Sequence, residues 1–249
     1  MIDCHAVTKR YGRRPWRPEG RVTVLERLDL SVPPGTALGI LGPNGTGKST
    51  LLKLLLGYLR PSGGEVTIAG ESPRAYVLGH GIGYVPEVPA IPEGWTVRGA
   101  LRAYAALSNL ADDEYGRIDD TLDRMGLRPV AERRVGDLSK GNRQRLSIAQ
   151  AILADRKILV LDEPFHGLDP FWRARMRGIV SAWRAADPER IVIIASHDLR
   201  EIEHHADRAV ILAGGGIRAE VDLTGYTPPE RDPSPLAAAY ERVMREDAA

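Results

Sequence analysis

The residues best suited to chemistry stand together at Gly42, Pro43, Asn44, Gly45, Thr46, Gly47, Lys48, Ser49 and Thr50. They fill every fixed position of G-x-x-x-x-G-K-[ST], a pattern whose task is to hold nucleotide phosphates. Gly45 and Gly47 let the backbone wrap close to phosphate oxygens. Successive N–H groups and the start of the following helix make a concave anion nest. Lys48 adds a point charge at the terminal phosphates, and the Ser49 hydroxyl is placed to ligate Mg²⁺.

A second set completes a reaction. The run "ILVLDEP" (158–164) delivers Asp162 and Glu163 to the end of an apolar strand, the end at which α/β sheets hold ligands. Asp162 suits a hold on Mg²⁺, direct or through its outer shell. Glu163 suits polarising a water for in-line attack on a γ-phosphate. Phosphoryl transfer needs positioning and charge neutralisation and no covalent nucleophile. His197 follows the strand "IVIIAS" and is positioned to reach a γ-phosphate. Further on, "LSKGNRQR" sets Ser139 and Gly141 at the head of a helical pattern, a second anion-type site.

These residues need a frame that alternates short buried strands with helices, which is the α/β pattern. "ALGIL" (37–41), "KILVLD" (157–162) and "RIVIIAS" (190–196) read as buried strands, with "EVTIA" (65–69) and "GIGYV" (81–85) as shorter ones. "KSTLLKLLLGYL" (48–59) reads as a helix, as do residues 97–125 and 171–185. Ile118, Leu122 and Met125 share one face of the middle helix and predict a core stripe. "RAVILAGGGIRAEV" (208–221) predicts a hairpin with a glycine loop. "TPPERDPSP" (227–235) is a Pro-rich linker before a short helix with Leu236, Tyr240 and Val243 on one face. The basic segment 9–21 reads as a Pro-broken surface loop, with phosphate or lipid headgroups as its alternative contacts.

Composition narrows the classes. The 249 residues carry 34 Lys plus Arg against 33 Asp plus Glu, a net charge of +1, so no basic footprint points to nucleic acid. A single cysteine, Cys4, cannot form an intrachain disulfide. No apolar run approaches the roughly 20 residues that span a bilayer. Six histidines are present, but only His204 and His205 adjoin, and neighbours on a helix point apart, so no transition-metal site is assigned.

Taken in order, the P-loop, "GYVPE", "LSKGNRQR", "LVLDEPFHGLDP" and "IIASHD" resemble the ATP-binding subunit of an ABC transporter. The resemblance covers Ile2 to Val221 and is nearest to exporter-type subunits with a separate permease chain. It implies a P-loop NTPase core with an antiparallel β subdomain and an inserted helical subdomain of about 87–154, together forming an ATPase domain over 1–226. Residues 227–249 add the linker and terminal helix. It further implies ATP and Mg²⁺ as cofactors and ATP-driven closure of a homodimer. The chain is then peripheral on the cytoplasmic side of the membrane, held through its permease. An assembly ATPase with soluble partners is compatible with the same residues.

The resemblance also assigns residues. Tyr11 matches the aromatic residue that stacks on adenine. Gly167, Leu168 and Asp169 match a loop crossing the dimer interface. Ser139 and Gly141 match the motif that closes over the γ-phosphate held by the other subunit. Glu87 stands where the family usually has glutamine; its carboxylate either ligates Mg²⁺ as a hard oxygen donor or faces away. Lys140 and Asn142 replace the usual glycine and glutamine. Phe165 and His166 replace small polar residues.

Overall fold

The structure is a computed structural model that describes residues 1–12, 21–108, 110, 114–228 and 234–247. Most of the basic segment 9–21 and the middle of the Pro-rich stretch 227–235 lie outside the described residues. In chain order the elements are β1 (Ile2–Tyr11), β2 (Val22–Val32), β3 (Ala37–Leu41), α1 (Lys48–Leu55), β4 (Gly63–Ile68), α2 (Pro73–His80), β5 (Gly83–Val85), α3 (Val97–Leu107) and α4 (Glu114–Arg124). There follow α5 (Lys140–Leu153), β6 (Ile158–Asp162), α6 (Pro170–Ala185), β7 (Ile191–Ser196), α7 (Leu199–His205), β8 (Arg208–Ala213), β9 (Gly216–Asp222) and α8 (Pro235–Asp247).

The chain divides into two compact units, Met1–His80 with Ile191–Ala249, and Gly81–Arg190. In the first unit β1 pairs antiparallel with β2 and β4. Separately, β3 runs parallel to both β7 and β8, and β9 returns antiparallel to β8. Every residue of β3 and β7 is buried, which is why their sequences run apolar rather than alternating up to Ser196, the last residue of β7. The β8–β9 turn is Gly214-Gly215 with φ of 54° and 77°, the paired positive φ that a type I′ hairpin requires.

Helix α1 presses Leu51, Leu52, Leu54 and Leu55 into this core, each 1% exposed or less. Burying each such side chain contributes about 2 kcal/mol. The helix is shorter than its apolar run predicts. Gly57 turns left-handed at φ 70°, and the N–H groups of Tyr58 and Leu59 both return to the Lys53 carbonyl. This glycine-terminated C-cap satisfies carbonyls that the helix end exposes.

In the second unit β5 and β6 pair in parallel. The helical period 97–125 predicts one helix, but two form. α3 starts with Thr96 accepting from the Gly99 N–H at 3.0 Å. It ends where the Ser108 N–H closes on Tyr104 and Ala105. Ser108 is a type that bonds nearby backbone outside helices and so favours their ends. The stripe Ile118, Leu122 and Met125 is buried to 1% or less. It lies on α4 and just beyond it.

Candidate nucleotide site

The Gly42–Thr50 loop joins β3 to α1 in the first unit. Gly47 has φ 107°, and a Cβ there would lie 2.7 Å from Leu25 Cδ2 and 3.1 Å from the Val24 carbonyl oxygen. Only glycine fits. Gly45, at φ 84°, has open space where a side chain would stand. The Lys48 side chain is buried. Its ammonium donates to the Gly42 carbonyl at 2.5 Å and to the Pro43 carbonyl at 3.1 Å. Thr46 Oγ1 also donates to Pro43 at 2.9 Å. The loop is thus closed by its own side chains around a cationic centre, with Asn44 and Gly45 exposed and Ser49 and Thr50 half-buried.

Two further residues join this loop. The Tyr11 hydroxyl lies 3.5 Å from Thr50 Oγ1 with the tyrosine 40% exposed, so an accessible ring stands beside the P-loop helix. Lys9 Nζ is 5.3 Å from that ring's centroid. His197 is brought in by strand register. Leu41 of β3 pairs with Ser196 of β7. Gly42 and His197 therefore leave parallel strands at the same edge, and His197 is exposed there. Ser196 Oγ donates to Glu201 at 2.9 Å and accepts the Asp198 N–H at 3.1 Å, which fixes the turn after the strand.

The carboxylates belong to the second unit. Val85 of β5 pairs with Leu161 of β6, so Glu87 and Asp162 emerge from one edge of that pair. Asp162 and Glu163 are buried, whereas Glu87 is exposed. Glu163 takes φ 48°, a left-handed conformation rare in a side-chain-bearing residue and typical of strained functional positions. His166 and Leu168 then turn back with N–H bonds to the Glu163 and Phe165 carbonyls, each at 3.2 Å. Asp169 accepts the Trp172 N–H at 2.8 Å as the N-cap of α6, so helix capping by itself accounts for an aspartate there.

Helix α5 opens with exposed Ser139, whose Oγ accepts the Asn142 N–H at 3.3 Å. Gln144 Nε2 donates to the Pro164 carbonyl at 2.8 Å. Arg145 donates to the Met125 carbonyl at 2.8 Å and stacks 3.8 Å from the Trp172 ring centroid. Burial pushes the Arg145 guanidinium below its ordinary value. These bonds hold the helix start rigidly at the surface of its unit.

The donor chemistry fits a nucleotide with a hard cation. Ser49 in the first unit, and Asp162 and Glu87 in the second, each offer only oxygen, the donor type that Mg²⁺ prefers. No group of three or more His, Cys, Asp or Glu side chains among the described residues forms a metal cage of its own. Among these residues no helix is long and apolar enough to cross a membrane.

Residues 25–166 match the family described as "ABC transporter". The chain is 38% identical over 212 residues to an uncharacterized ABC transporter ATP-binding protein, YdbJ of Bacillus subtilis, covering 83% of this chain and 67% of that protein. The chain belongs to the ABC transporter family. It is also 33% identical to Nod factor export ATP-binding protein I of Rhizobium meliloti over 88% of this chain and 63% of that protein. The chain thus spans about three fifths to two thirds of the length of such relatives, including 59% of one from Nostoc. A dimeric ATP-binding cassette, MJ0796, solved with ADP and Pi in a post-hydrolysis state, superposes with a TM-score of 0.82 at 23% identity. The match covers 91% of this chain and 100% of that one, and it establishes the shared ABC fold.

Sequence reasoning left two ABC-motif positions without a place, and the structure joins them. Lys140 Nζ and His166 Nε2 lie 3.3 Å apart. The signal was available: both depart from the family pattern.

Proposed function

We propose that this chain is the ATP-hydrolysing subunit of an export system whose membrane permease is a separate chain, and that it works as a homodimer. The observation that carries the reading is the Leu41–Ser196 register, because it sets His197 beside a complete P-loop at one strand edge. In this reading Gly42 to Thr50 wrap the phosphates through their backbone N–H groups. The Lys48 ammonium turns from its own carbonyls to the terminal phosphates. Tyr11 stacks on adenine. His197 contacts the γ-phosphate.

Ser49 and Asp162 would hold Mg²⁺, with Glu87 as a further oxygen donor at the Asp162 edge. When bound, the ion neutralises charge on the phosphate oxygens and orients them. Glu163 accepts a proton from the attacking water, and its buried position keeps that carboxylate directed at one place. Ser139 and Gly141 close over the γ-phosphate held by the partner subunit, with Asp169 at the same interface. ATP binding drives closure because these contacts exist only in the closed dimer. Residues 87–154 form the helical subdomain that carries this motion to the permease, within an ATPase domain over 1–226. The linker and helix of 227–249 follow it. The export direction draws support from the Rhizobium relative named for Nod factor export. The chain then sits on the cytoplasmic side of the membrane through its permease.

Glu163→Gln tests the core of the proposal. Turnover should fall roughly 10²–10⁴-fold, the scale of general-base loss, and an ATP-bound dimer should accumulate by light scattering. A variant that stays monomeric with saturating ATP and Mg²⁺ overturns the dimer. Purification from membranes with mass identification of bound chains tests the permease; recovery without any polytopic chain overturns that part.

A further inference from the structure

We propose that Lys140 is a positioning residue for the Glu163 loop, acting through His166 and Gly167 of its own chain. Lys140 is the first residue of α5, directly after the Ser139 N-cap. Its stem lies across Gly167, where an added Cβ would be 2.8 Å from Lys140 Cε, 2.9 Å from Cδ and 3.1 Å from Cγ. Gly167 has φ 84°. The backbone is therefore bare and left-handed at the point where the lysine crosses it. Beyond that crossing the ammonium reaches His166 Nε2 at 3.3 Å. An ammonium can only donate, so His166 Nε2 is the acceptor of this bond.

One more contact binds the same helix to the same loop. Gln144, itself buried, donates to the Pro164 carbonyl at 2.8 Å. The loop is short and begins at Glu163 in its strained conformation. It is secured at Pro164 by Gln144 and at Asp169 by the cap of α6. Lys140 secures the part between. His166 and Gly167 are themselves exposed, and beside the Lys140 contact the turn is held by the 3.2 Å N–H bonds of His166 and Leu168. Lys140 acts on Glu163 through the backbone, and it touches no reacting atom. The inference rests on reading Glu163 as the residue that prepares the attacking water.

The first test needs no nucleotide. Hydrogen exchange of the His166 and Leu168 amides should be roughly 3- to 10-fold faster in Lys140→Met than in the wild type, the scale of one lost hydrogen bond. Exchange in β6 should not change. Methionine keeps a stem over Gly167 and loses only the ammonium. Unchanged exchange at both amides overturns the proposal. The second test is a double-mutant cycle in ATPase assays with Lys140→Met and His166→Ala. Each should lower kcat by a similar factor of roughly 3 to 10 with KM for ATP held. The double variant should be no worse than either single one. Lys140→Arg should restore kcat. Additive losses, or a loss confined to Lys140→Met, mean that the ammonium acts on phosphate directly and overturn the proposal. If Glu163→Gln hydrolyses ATP normally while the exchange result holds, the assignment of Glu163 fails and the strap stands.

Discussion

Two helix starts in this chain resemble anion sites, and they are built differently. At Gly42–Thr50 the loop is folded around a buried ammonium, and Gly47 is forced by a left-handed φ and by Val24 and Leu25 behind it. At Ser139–Asn142 the helix start is exposed, and Gly141 takes an ordinary helical conformation with no close neighbour that a methyl group would strike. The first site is shaped from inside by its own chain. The glycine of the second has no intrachain need as strong, which is what the proposed closure over a partner's phosphate expects: a container at the first site and a lid at the second.

Lys48→Ala should break the container most severely, abolishing ATP binding and turnover together. Isothermal titration with ATP and a phosphate-release assay check both, and normal hydrolysis by the variant would sink the P-loop assignment. Ser139→Arg separates the two sites. ATP affinity of the monomer should stay within about twofold, since that residue lies outside the container, while ATP-driven dimerisation and turnover are lost because an unpaired bulky cation blocks the closed interface. Equal loss of monomer affinity would mean that both sites hold the same chain's nucleotide.

The two glycines give a smaller and cleaner contrast. Gly47→Ala should cost about 1–3 kcal/mol of stability from backbone strain, read as a lower urea midpoint. Gly141→Ala should leave stability within about 1 kcal/mol of the wild type, or raise it slightly, because alanine is the better helix former. It should still weaken dimerisation. Equal destabilisation by both would erase the distinction.

The smallest effect concerns the units rather than the sites. In Gly81–Arg190 the hydrogen bonds from Arg98, Arg128 and Lys157 hold the Asp119, Asp123 and Asp187 carboxyls below the usual carboxylate range. Groups with depressed folded-state values contribute stability above the ordinary Asp value of about 3.9, and lose it as pH falls through the folded values. Amide exchange in this unit should therefore rise below about pH 4. The rise should shrink at about 1 M salt, since all three side chains face solvent and the pairs are screened. A salt-independent acid transition would point to a buried group instead.

Much of the fold and site was legible in the residues themselves. β3, β6 and β7 are apolar at every buried position up to Asp162 and Ser196, the last residues of β6 and β7, so burial on both faces writes their extent directly into the sequence. The P-loop is legible because its chemistry is local: glycines, a lysine and a hydroxyl within one turn of chain. The same locality explains the hairpin at Gly214-Gly215. Where the sequence misled, the period was right and the breaks were invisible. Residues 97–125 carry one helical period, yet α3 ends at Leu107 and α4 starts at Glu114.

Sequence by itself therefore determined the fully buried strands, the phosphate loop and the types of residue available for chemistry, while the longer strands β1 and β2 were not read from it. Tertiary structure alone decided which of them meet. Strand register sent Gly42 and His197 out from one edge, and Glu87 and Asp162 out from another. Packing against Val24 and Leu25 made Gly47 obligatory. The crossing of α5 over the loop after β6 paired Lys140 with His166. Each of these depends on contacts between segments far apart in the chain, whose energies belong to pairs of residues and leave no pattern in either segment alone.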